Sequence, residues 1–422
     1  MQDQDSRNLP GSVRPKPRLL VIGQAVNPTG YARVIHSVLA EITEKYEIHH
    51  FGLNYKGEKI TKPWIIHPNR LPGDIHGAKQ IPRLIQDLKP DLIWIVHDLY
   101  LFSLLKQYVS FGSLGCKTIA YAPIENRIVK EHKLRDIQSL DCLVLYNEYA
   151  KCEVSRAYSA SFEGRERPKN PSLRVIGHGT DPKRFYPLIS DHTKADLHAN
   201  RIFARQKLFP NRPELSDAFI VLNANRNSMR KRIDLTLKAF EIFAKDKPES
   251  VYLFLHMGMS DRGCDILEMA EKLGIVDRLL LTSARAERPD VDDDSLNLIY
   301  NACDVGLNTS TGEGWGLVAF EHAATGAAQI MPAHGTCKEL WERAAVLIEP
   351  SSYEKDNFDF VVHGIVAPES VASTLNAIYH NPALLHSLSI SAYERAISAR
   401  QDWTVIANQW DSIFQDALAN RL

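Results

Sequence analysis

Short runs of apolar residues alternate along most of the chain with stretches in which apolar residues recur at helical spacing. The first run, Arg18–Gly23, is predicted to be a buried strand, and Tyr31–Ile42 an amphipathic helix. Further strands are predicted in this half at Glu47–Phe51, Asp91–Val96, Lys117–Ala122, Cys142–Tyr146 and Leu173–Ile176. Because alternating strands and helices form parallel sheets that helices cover on both faces, the pattern predicts an α/β fold with a doubly wound sheet.

The alternation pauses in a segment rich in turn residues and then begins again. Asp181–Pro187 and Phe209–Leu215 interrupt the pattern, which places a domain boundary near residues 188–215. Beyond it, strands are predicted at Phe219–Ala224, Val251–His256, Arg278–Leu281, Asp304–Leu307 and Ala328–Met331, and helices at Ile233–Ala244, Ile266–Leu273, Ser295–Ala302 and Leu317–Thr325. The chain is therefore predicted to hold a flexible leader (1–17), an N-terminal domain (18–190), a C-terminal domain (191–400) and a final helix (401–422).

Composition places the protein among ordinary soluble α/β proteins. Its 422 residues carry a net charge of −1, and no run approaches the roughly 18 apolar residues of a membrane helix. The polar N-terminus lacks the apolar core of a secretory signal, and the six cysteines form no CxxC pair. We therefore predict a cytoplasmic protein with reduced thiols.

The charges are distributed unevenly along the chain. Basic residues exceed acidic ones in residues 1–190, and the reverse holds in residues 191–422. The basic half is a candidate for peripheral contact with the inner membrane surface or with an acidic acceptor, and a merely solvated surface is the alternative. We predict no binding of nucleic acid.

The most informative loop is Asn308–Gly326, which follows a predicted strand and begins a predicted helix. Ligands of open parallel sheets bind at the carboxyl ends of the strands. Glu313 and Glu321 lie eight positions apart, and the Glu321 carboxylate can accept two hydrogen bonds from a vicinal diol such as a ribose. A strand–turn–helix with a solvated glutamate is the alternative. The backbone between the glutamates can approach phosphate or sugar oxygens closely, which makes donor-binding candidates of Gly314, Trp315, Gly316, Leu317 and Val318.

A polar loop after the strand Phe219–Ala224 carries a pair of candidate cations. Arg226 and Lys231 lie five positions apart at the entry to the next predicted helix. Cations fixed there can neutralise a diphosphate as its bond to a sugar breaks, which is often the largest catalytic contribution. A solvated basic helix start is the alternative, and the neighbouring Arg230 and Arg232 leave open which cation acts.

Loops after predicted strands of the first half supply further candidates. Gly30 lies in a turn that enters a helix, but the GxGxxG pattern of a dinucleotide site is missing. His97 follows a strand, where it can hydrogen-bond a sugar hydroxyl or form a partly buried polar cap. Further candidates, for binding a molecule that would accept the sugar, are Glu125, Asp98 and Tyr31.

Together these segments resemble glycosyltransferase family 4, a family of retaining GT-B enzymes. Glu313 and Glu321 fall on the two glutamates of its E-x7-E segment, of which the first lies at the donor sugar and the second binds the ribose. Arg226 and Lys231 match its Arg–Lys pair, although the family commonly has Gly where Arg232 follows here. The match is strong over residues 170–345 and diffuse over residues 18–160.

The resemblance implies an architecture and the roles of further residues. Gly30 matches a glycine loop over the donor phosphates, Gly258 a glycine near the nucleotide, and His97 a histidine near the reacting sugar carbon. The implied architecture is GT-B, in which two Rossmann-like domains face each other across a cleft. The acceptor binds the N-terminal domain, the donor binds the C-terminal domain, and the final helix packs back on the first domain.

The implied function is a retaining transfer of a hexose from a nucleotide diphosphate sugar, with UDP favoured over GDP. The acceptor is not identified, and a glycan, a lipid, a protein and a small molecule all stay open. The alternatives are a non-catalytic scaffold that binds a sugar nucleotide, or another GT-B reaction such as epimerisation or phosphorolysis.

No metal and no other cofactor are predicted. The acidic run Asp290–Asp294 contains a DxD pattern, which holds a metal in a different transferase fold. Here the run precedes a predicted helix, where acidic residues interact favourably with the helix dipole. We expect Arg226 and Lys231 to neutralise the diphosphate instead.

Overall fold

The computed structural model describes residues 16–26, 29–163, 170–189, 196–283, 285, 289–355 and 361–422. The predicted leader (1–17) lies outside this part of the chain except for its last two residues. None of the described helices combines the length and the hydropathy that a membrane crossing requires.

The first half of the chain folds around a seven-stranded parallel sheet in the order β3-β2-β1-β4-β5-β7-β8. These strands, and the short β6 outside the sheet, are β1 (Arg18–Gln24), β2 (Glu47–Leu53), β3 (Ile65–Pro68), β4 (Leu92–Val96), β5 (Lys117–Ala122), β6 (Arg127–Ile128), β7 (Cys142–Leu145) and β8 (Ser172–Val175). The helices are α1 (Gly30–Ile42), α2 (Ile81–Leu88), α3 (Leu99–Leu105) and α4 (Glu148–Ala160). Every residue of the central β4 is buried, as expected for a strand with helices on both faces of its sheet.

The second half repeats this plan around a six-stranded parallel sheet in the order β11-β10-β9-β12-β13-β14. Its strands are β9 (Phe219–Asn223), β10 (Val251–Leu255), β11 (Leu279–Leu281), β12 (Val305–Leu307), β13 (Ala328–Pro332) and β14 (Val346–Ile348). The helices are α5 (Asp196–Leu208), α6 (Ile233–Ala244), α7 (Ile266–Leu273), α8 (Asp293–Asn301), α9 (Leu317–Ala323), α10 (Gly335–Trp341), α11 (Pro368–Tyr379), α12 (Pro382–Ala396) and α13 (Trp403–Leu418).

A third, three-stranded antiparallel sheet joins the two halves. Its outer strand β15 (Ser352–Lys355) pairs with β16 (Val361–Ile365), and β16 pairs with β6 from the first half. Val361 lies opposite Ile128, and Val362 lies opposite Arg127. The backbone hydrogen bonds of this sheet therefore cross from one half of the chain to the other.

The last helix also returns to the first half. The Trp410 ring of α13 packs against the Trp94 ring of β4, with 4.7 Å between the ring centroids. The carboxylate of Asp411 accepts hydrogen bonds from Lys45 and from the Tyr46 hydroxyl, each at 2.7 Å. These contacts fix α13 beside α1 on the first sheet.

The strands and helices predicted from the apolar pattern are confirmed, with ends that shift by at most two residues. The fold also contains elements that were not predicted. The region of the predicted domain boundary, residues 188–215, contains the helix α5, and the strands β3 and β14 and the antiparallel sheet β15-β16-β6 were not predicted.

Candidate active site

A buried ion pair lies at the carboxyl edge of the second sheet. The Lys231 ammonium is bonded to the Glu313 carboxylate, which also accepts hydrogen bonds from the Asn308 amide (2.8 Å) and the Ser310 hydroxyl (3.1 Å). Burial alone would raise the pKa of Glu313, but Lys231 and Arg230 hold it well below its usual range. Glu313 is therefore a fixed, fully ionised carboxylate, and the structure brings two of the predicted catalytic residues together.

Arg230 connects this pair to the first half of the chain. Its guanidinium lies 3.4 Å from the Glu313 carboxylate, 3.2 Å from the Glu125 carboxylate and within hydrogen-bonding distance of the Gly312 carbonyl. Burial raises the pKa of Glu125 to about 7, against the opposing effect of Arg230. Sequence reasoning did not give Arg230 a role, because its side chain could not be told apart from its basic neighbours.

Three more predicted residues meet at the carboxyl edge of the first sheet. The Tyr31 hydroxyl donates to the Asp98 carboxylate at 2.8 Å, and the Tyr31 ring stacks on the His97 ring with 5.0 Å between centroids. Nδ1 of His97 lies 3.5 Å from the same carboxylate. Burial lowers the pKa of His97 despite the nearby Asp98, so its imidazole is neutral at pH 7. A neutral imidazole can donate a hydrogen bond to a sugar hydroxyl or accept one from it.

Glu321, the predicted ribose ligand, is buried in α9 and has two protein partners. The Arg33 guanidinium of α1 is bonded to one oxygen, and the Tyr300 hydroxyl donates to the other at 3.2 Å. The second nitrogen of Arg33 lies 3.5 Å from Asp293. Sequence reasoning did not single out Arg33, although its position three residues after Gly30, at the start of the same helix, was a usable signal.

Arg226 lies in a different environment from Lys231. Its exposed guanidinium forms two hydrogen bonds to Asp261, at 2.5 and 3.1 Å, in the loop after β10. The same loop contains Gly258, whose carbonyl accepts a hydrogen bond from the Asn227 amide at 3.3 Å. Among the described residues, no hydrogen bond or ion pair joins Arg226 to Lys231 or Glu313.

The glycines of the loop before α9 are required by close contacts. A side chain at Gly314 would lie 2.5 Å from Cβ of Pro123, and the Gly314 carbonyl accepts a hydrogen bond from the Asn147 amide at 3.0 Å. Gly316 has a φ of +93°, which favours glycine. The loop therefore packs directly on the first half of the chain.

The side chains next to these glycines also make packing contacts. The Trp315 ring is buried and stacks on Phe320, with 5.2 Å between centroids. Leu317 lies against Gly30, because a Cβ added at Gly30 would be 3.2 Å from it. Val318 is half-buried beside it at the start of α9.

The acidic run before α8 has structural partners. Asp292 accepts a hydrogen bond from the Ser295 N–H at 2.7 Å and so caps the helix, and Asp293 lies 3.1 Å from Arg184. In the part of the chain that the structure describes, no three His, Cys, Asp or Glu side chains cluster as a metal site would require.

Comparisons with solved structures identify the fold. Sucrose-phosphate synthase from Thermosynechococcus elongatus superimposes with a TM-score of 0.70 at 18% identity, covering 96% of this chain and all of that one. HepE from Anabaena, solved with UDP-glucose, gives 0.66 at 15% identity over 94% and 99% of the two chains. A UDP-forming α,α-trehalose-phosphate synthase from Burkholderia vietnamiensis gives 0.66 at 14% identity over 96% and 99%. These neighbours are GT-B glycosyltransferases, so the predicted GT-B fold is confirmed.

Sequence comparison gives a weaker likeness. Mannosylfructose-phosphate synthase of Agrobacterium fabrum is 27% identical over 176 residues, which is 40% of this chain. The chain spans about a third (34%) of the length of this curated relative. No family model matches the chain. Membership of glycosyltransferase family 4 is consistent with these findings.

Proposed function

We propose that the protein is a retaining, metal-independent hexosyltransferase that uses a nucleotide diphosphate sugar, with UDP as the favoured nucleotide. The observation that carries the proposal is the buried, ionised Glu313, held by Lys231 and Arg230 and facing Glu125 from the other half. Cations that are already fixed in place between two doubly wound domains suit the charge of a sugar diphosphate. HepE, solved with UDP-glucose, and the UDP-forming synthase support the choice of donor.

The charges indicate how the donor would lie. Glu313 would accept hydrogen bonds from hydroxyls of the sugar. Lys231 and Arg230, joined by Arg226 once it leaves Asp261, would neutralise the diphosphate as its bond to the sugar carbon breaks. Glu321 would hold the ribose diol after exchanging Arg33 for it. The charge that a metal would otherwise supply then comes from protein cations.

The acceptor would approach from the first sheet, past Glu125, Asp98 and His97. Its hydroxyl oxygen forms the new bond to the sugar carbon on the face that the diphosphate leaves. The hydroxyl proton passes to an oxygen of the departing diphosphate, so atoms and charge balance. This front-face reaction retains the anomeric configuration and needs no base on the opposite face.

A donor panel tests the proposal before any acceptor is known. UDP-hexoses and GDP-hexoses are titrated into the protein, and slow hydrolysis of each bound donor is followed. We expect a UDP-hexose to bind and to lose its sugar slowly to water. Conversion of the donor to an epimer would favour an epimerase. A requirement for inorganic phosphate would favour a phosphorylase, and binding without turnover would favour a non-catalytic scaffold. Failure of every sugar nucleotide to bind would overturn the proposal.

Arg226→Ala tests the role that the sequence assigns to this arginine. We expect turnover to fall far more than donor affinity, because the guanidinium would act on charge that develops as the diphosphate leaves. Arg226 must first exchange Asp261 for the ligand. Asp261→Asn, which frees the guanidinium, is the matched variant and should keep turnover. Normal turnover in Arg226→Ala would leave the role to Arg230 and Lys231.

The raised pKa of Glu125 predicts how the reaction rate depends on pH. Its pKa is raised to about 7 by burial, so the carboxylate is mostly protonated below that pH and mostly ionised above it. If the ionised form orients the attacking hydroxyl, which in donor hydrolysis is that of water, the rate rises with pH through a limb near 7. Glu125→Gln should lower the rate and remove this limb from the pH profile of kcat/KM for donor hydrolysis. An unchanged limb in the variant would assign the titration to another group.

A further inference from the structure

A cavity of about 750 Å³ lies under the antiparallel sheet that joins the two halves. Its walls come from both halves of the chain, including Tyr149 of α4 and His334 and Gly335 after β13. The volume is in the range of sites that hold small molecules. None of the residues assigned so far to the donor lines it.

Strand register places two cations on the face of the sheet that forms this cavity. Val362 of the middle strand pairs with Arg127 on one side and with Lys355 on the other, so the three side chains share a face. Tyr353, two residues before Lys355, lies on the same face. All four line the cavity.

The polar groups of the cavity favour an anion. Neither Arg127 nor Lys355 is paired with a carboxylate among the described residues, whereas Glu131, the one acidic residue of the lining, lies 3.4 Å from Arg156. The unpaired cations and the neutralised Glu131 therefore leave the lining with a net positive charge, which attracts an anionic ligand.

One residue separates this wall from the proposed donor-sugar site. The other nitrogen of His334, Nε2, lies 3.1 Å from the Ser310 carbonyl, and the Ser310 hydroxyl donates to Glu313. Asn126 of the lining directly follows Glu125, and its amide donates to the Thr311 carbonyl at 2.7 Å. A sugar in the cavity would therefore lie next to the proposed donor-sugar site.

The geometry points to a subsite for an anionic carbohydrate acceptor, one that carries a phosphate or carboxylate group bound by Arg127 and Lys355. Tyr149 and Tyr353 would pack against the sugar ring. The identification of this ligand as the acceptor rests on the proposed function, whereas the binding of an anionic sugar does not.

Calorimetric titration of the full chain, saturated with UDP, tests the subsite with three probes: glucose 6-phosphate, glucuronate and glucose. An anionic sugar should bind about tenfold more tightly than glucose, because hydrogen bonds to charged groups are stronger than those between neutral groups. Arg127→Gln and Lys355→Gln should each weaken that binding about tenfold. Lys238→Gln, which changes an exposed cation of α6 away from the cavity, should not.

The outcomes separate this inference from the proposed function. Tight binding of glucose 6-phosphate alone identifies a phosphate as the anion, and equal binding of glucuronate shows that either group serves. Equal affinity for glucose, no binding of either anionic sugar, or unchanged affinity in both cavity variants overturns the subsite. If UDP does not bind in the same titrations, the proposed function is contradicted. The subsite is then tested by the affinities of the three sugars measured without UDP.

Discussion

Lys231→Ala is expected to slow cleavage of a UDP-hexose by about two to three orders of magnitude, with a much smaller loss of UDP affinity. Lys231 is largely buried, with 11% of its side chain exposed, and is bonded to Glu313 at the carboxyl edge of the second sheet. Burial lowers the pKa of Lys231, and the Glu313 carboxylate opposes this effect. The ion pair with Glu313 holds the ammonium in place before the donor arrives. A cation that is already in position stabilises the transition state most, because the diphosphate gains negative charge there.

The same substitution also disturbs the fold, and the experiment must separate the two effects. Removing one partner of a buried pair costs about 3–5 kcal/mol, since the other charge stays buried and unpaired. Here Arg230 offsets part of this loss, because its guanidinium lies 3.4 Å from Glu313. We therefore propose the double variant Lys231→Ala with Glu313→Gln, which removes the unpaired charge. It should regain stability towards urea without regaining turnover.

Lys238→Ala is the matched control for this prediction, because Lys238 is an exposed lysine of the neighbouring helix α6. Its turnover and stability should equal those of the unchanged protein. If Lys231→Ala kept normal turnover, or if the double variant recovered both stability and turnover, Lys231 would have only a structural role.

Much of the fold can be predicted from local pattern, because buried parallel strands need continuous apolar runs. Asp91–Val96 and Phe219–Ala224 were predicted as strands for this reason, and both are central strands of their sheets. The sheet β15-β16-β6 has no such signal. Its middle strand pairs Val361 with Ile128, so its stability depends on residues far apart in the chain, and β6 has only two residues.

The sequence predicts which loops form the candidate site, but it does not predict which side chains of those loops enter it. The rule that ligands bind at strand ends brought Lys231, Glu313 and Glu125 into one group. It could not decide which cation of the loop after β9 turns inward. Met229–Lys231 forms a short 3-10 turn, and Arg232 has a φ of +49°, a geometry that the composition does not reveal. This turn lets Arg230 and Lys231 both reach Glu313, while Arg226 bonds to Asp261.

The helix α5 shows how a buried charge can escape pattern analysis. Its segment lies in the region of the predicted domain boundary and was not predicted as a helix, yet Arg201 and Arg205 are buried, with 8% and 1% of their side chains exposed. Both bond to Asp304, which precedes β12 and also accepts the Ile220 N–H at 2.7 Å. From the sequence alone, two arginines in a helical pattern indicate a solvated surface. Their partner, Asp304, lies about a hundred residues later in the chain, so the local pattern does not reveal the ion pairs.

Asp304→Ala is accordingly expected to destabilise the protein by about 3–5 kcal/mol, because it leaves two guanidinium groups buried without a counter-charge. Urea unfolding followed by far-UV circular dichroism would measure the loss. Asp416→Ala, which breaks the exposed pair with Arg421, is the control and should cost no more than about 1 kcal/mol. The triple variant that also carries Arg201→Met and Arg205→Met should recover most of the loss, since the cost lies in unpaired charge and not in lost packing. A triple variant as unstable as Asp304→Ala would contradict this account and assign the stability to the hydrogen bonds that the three side chains form with backbone groups such as Ile220, Gly326 and Ala302.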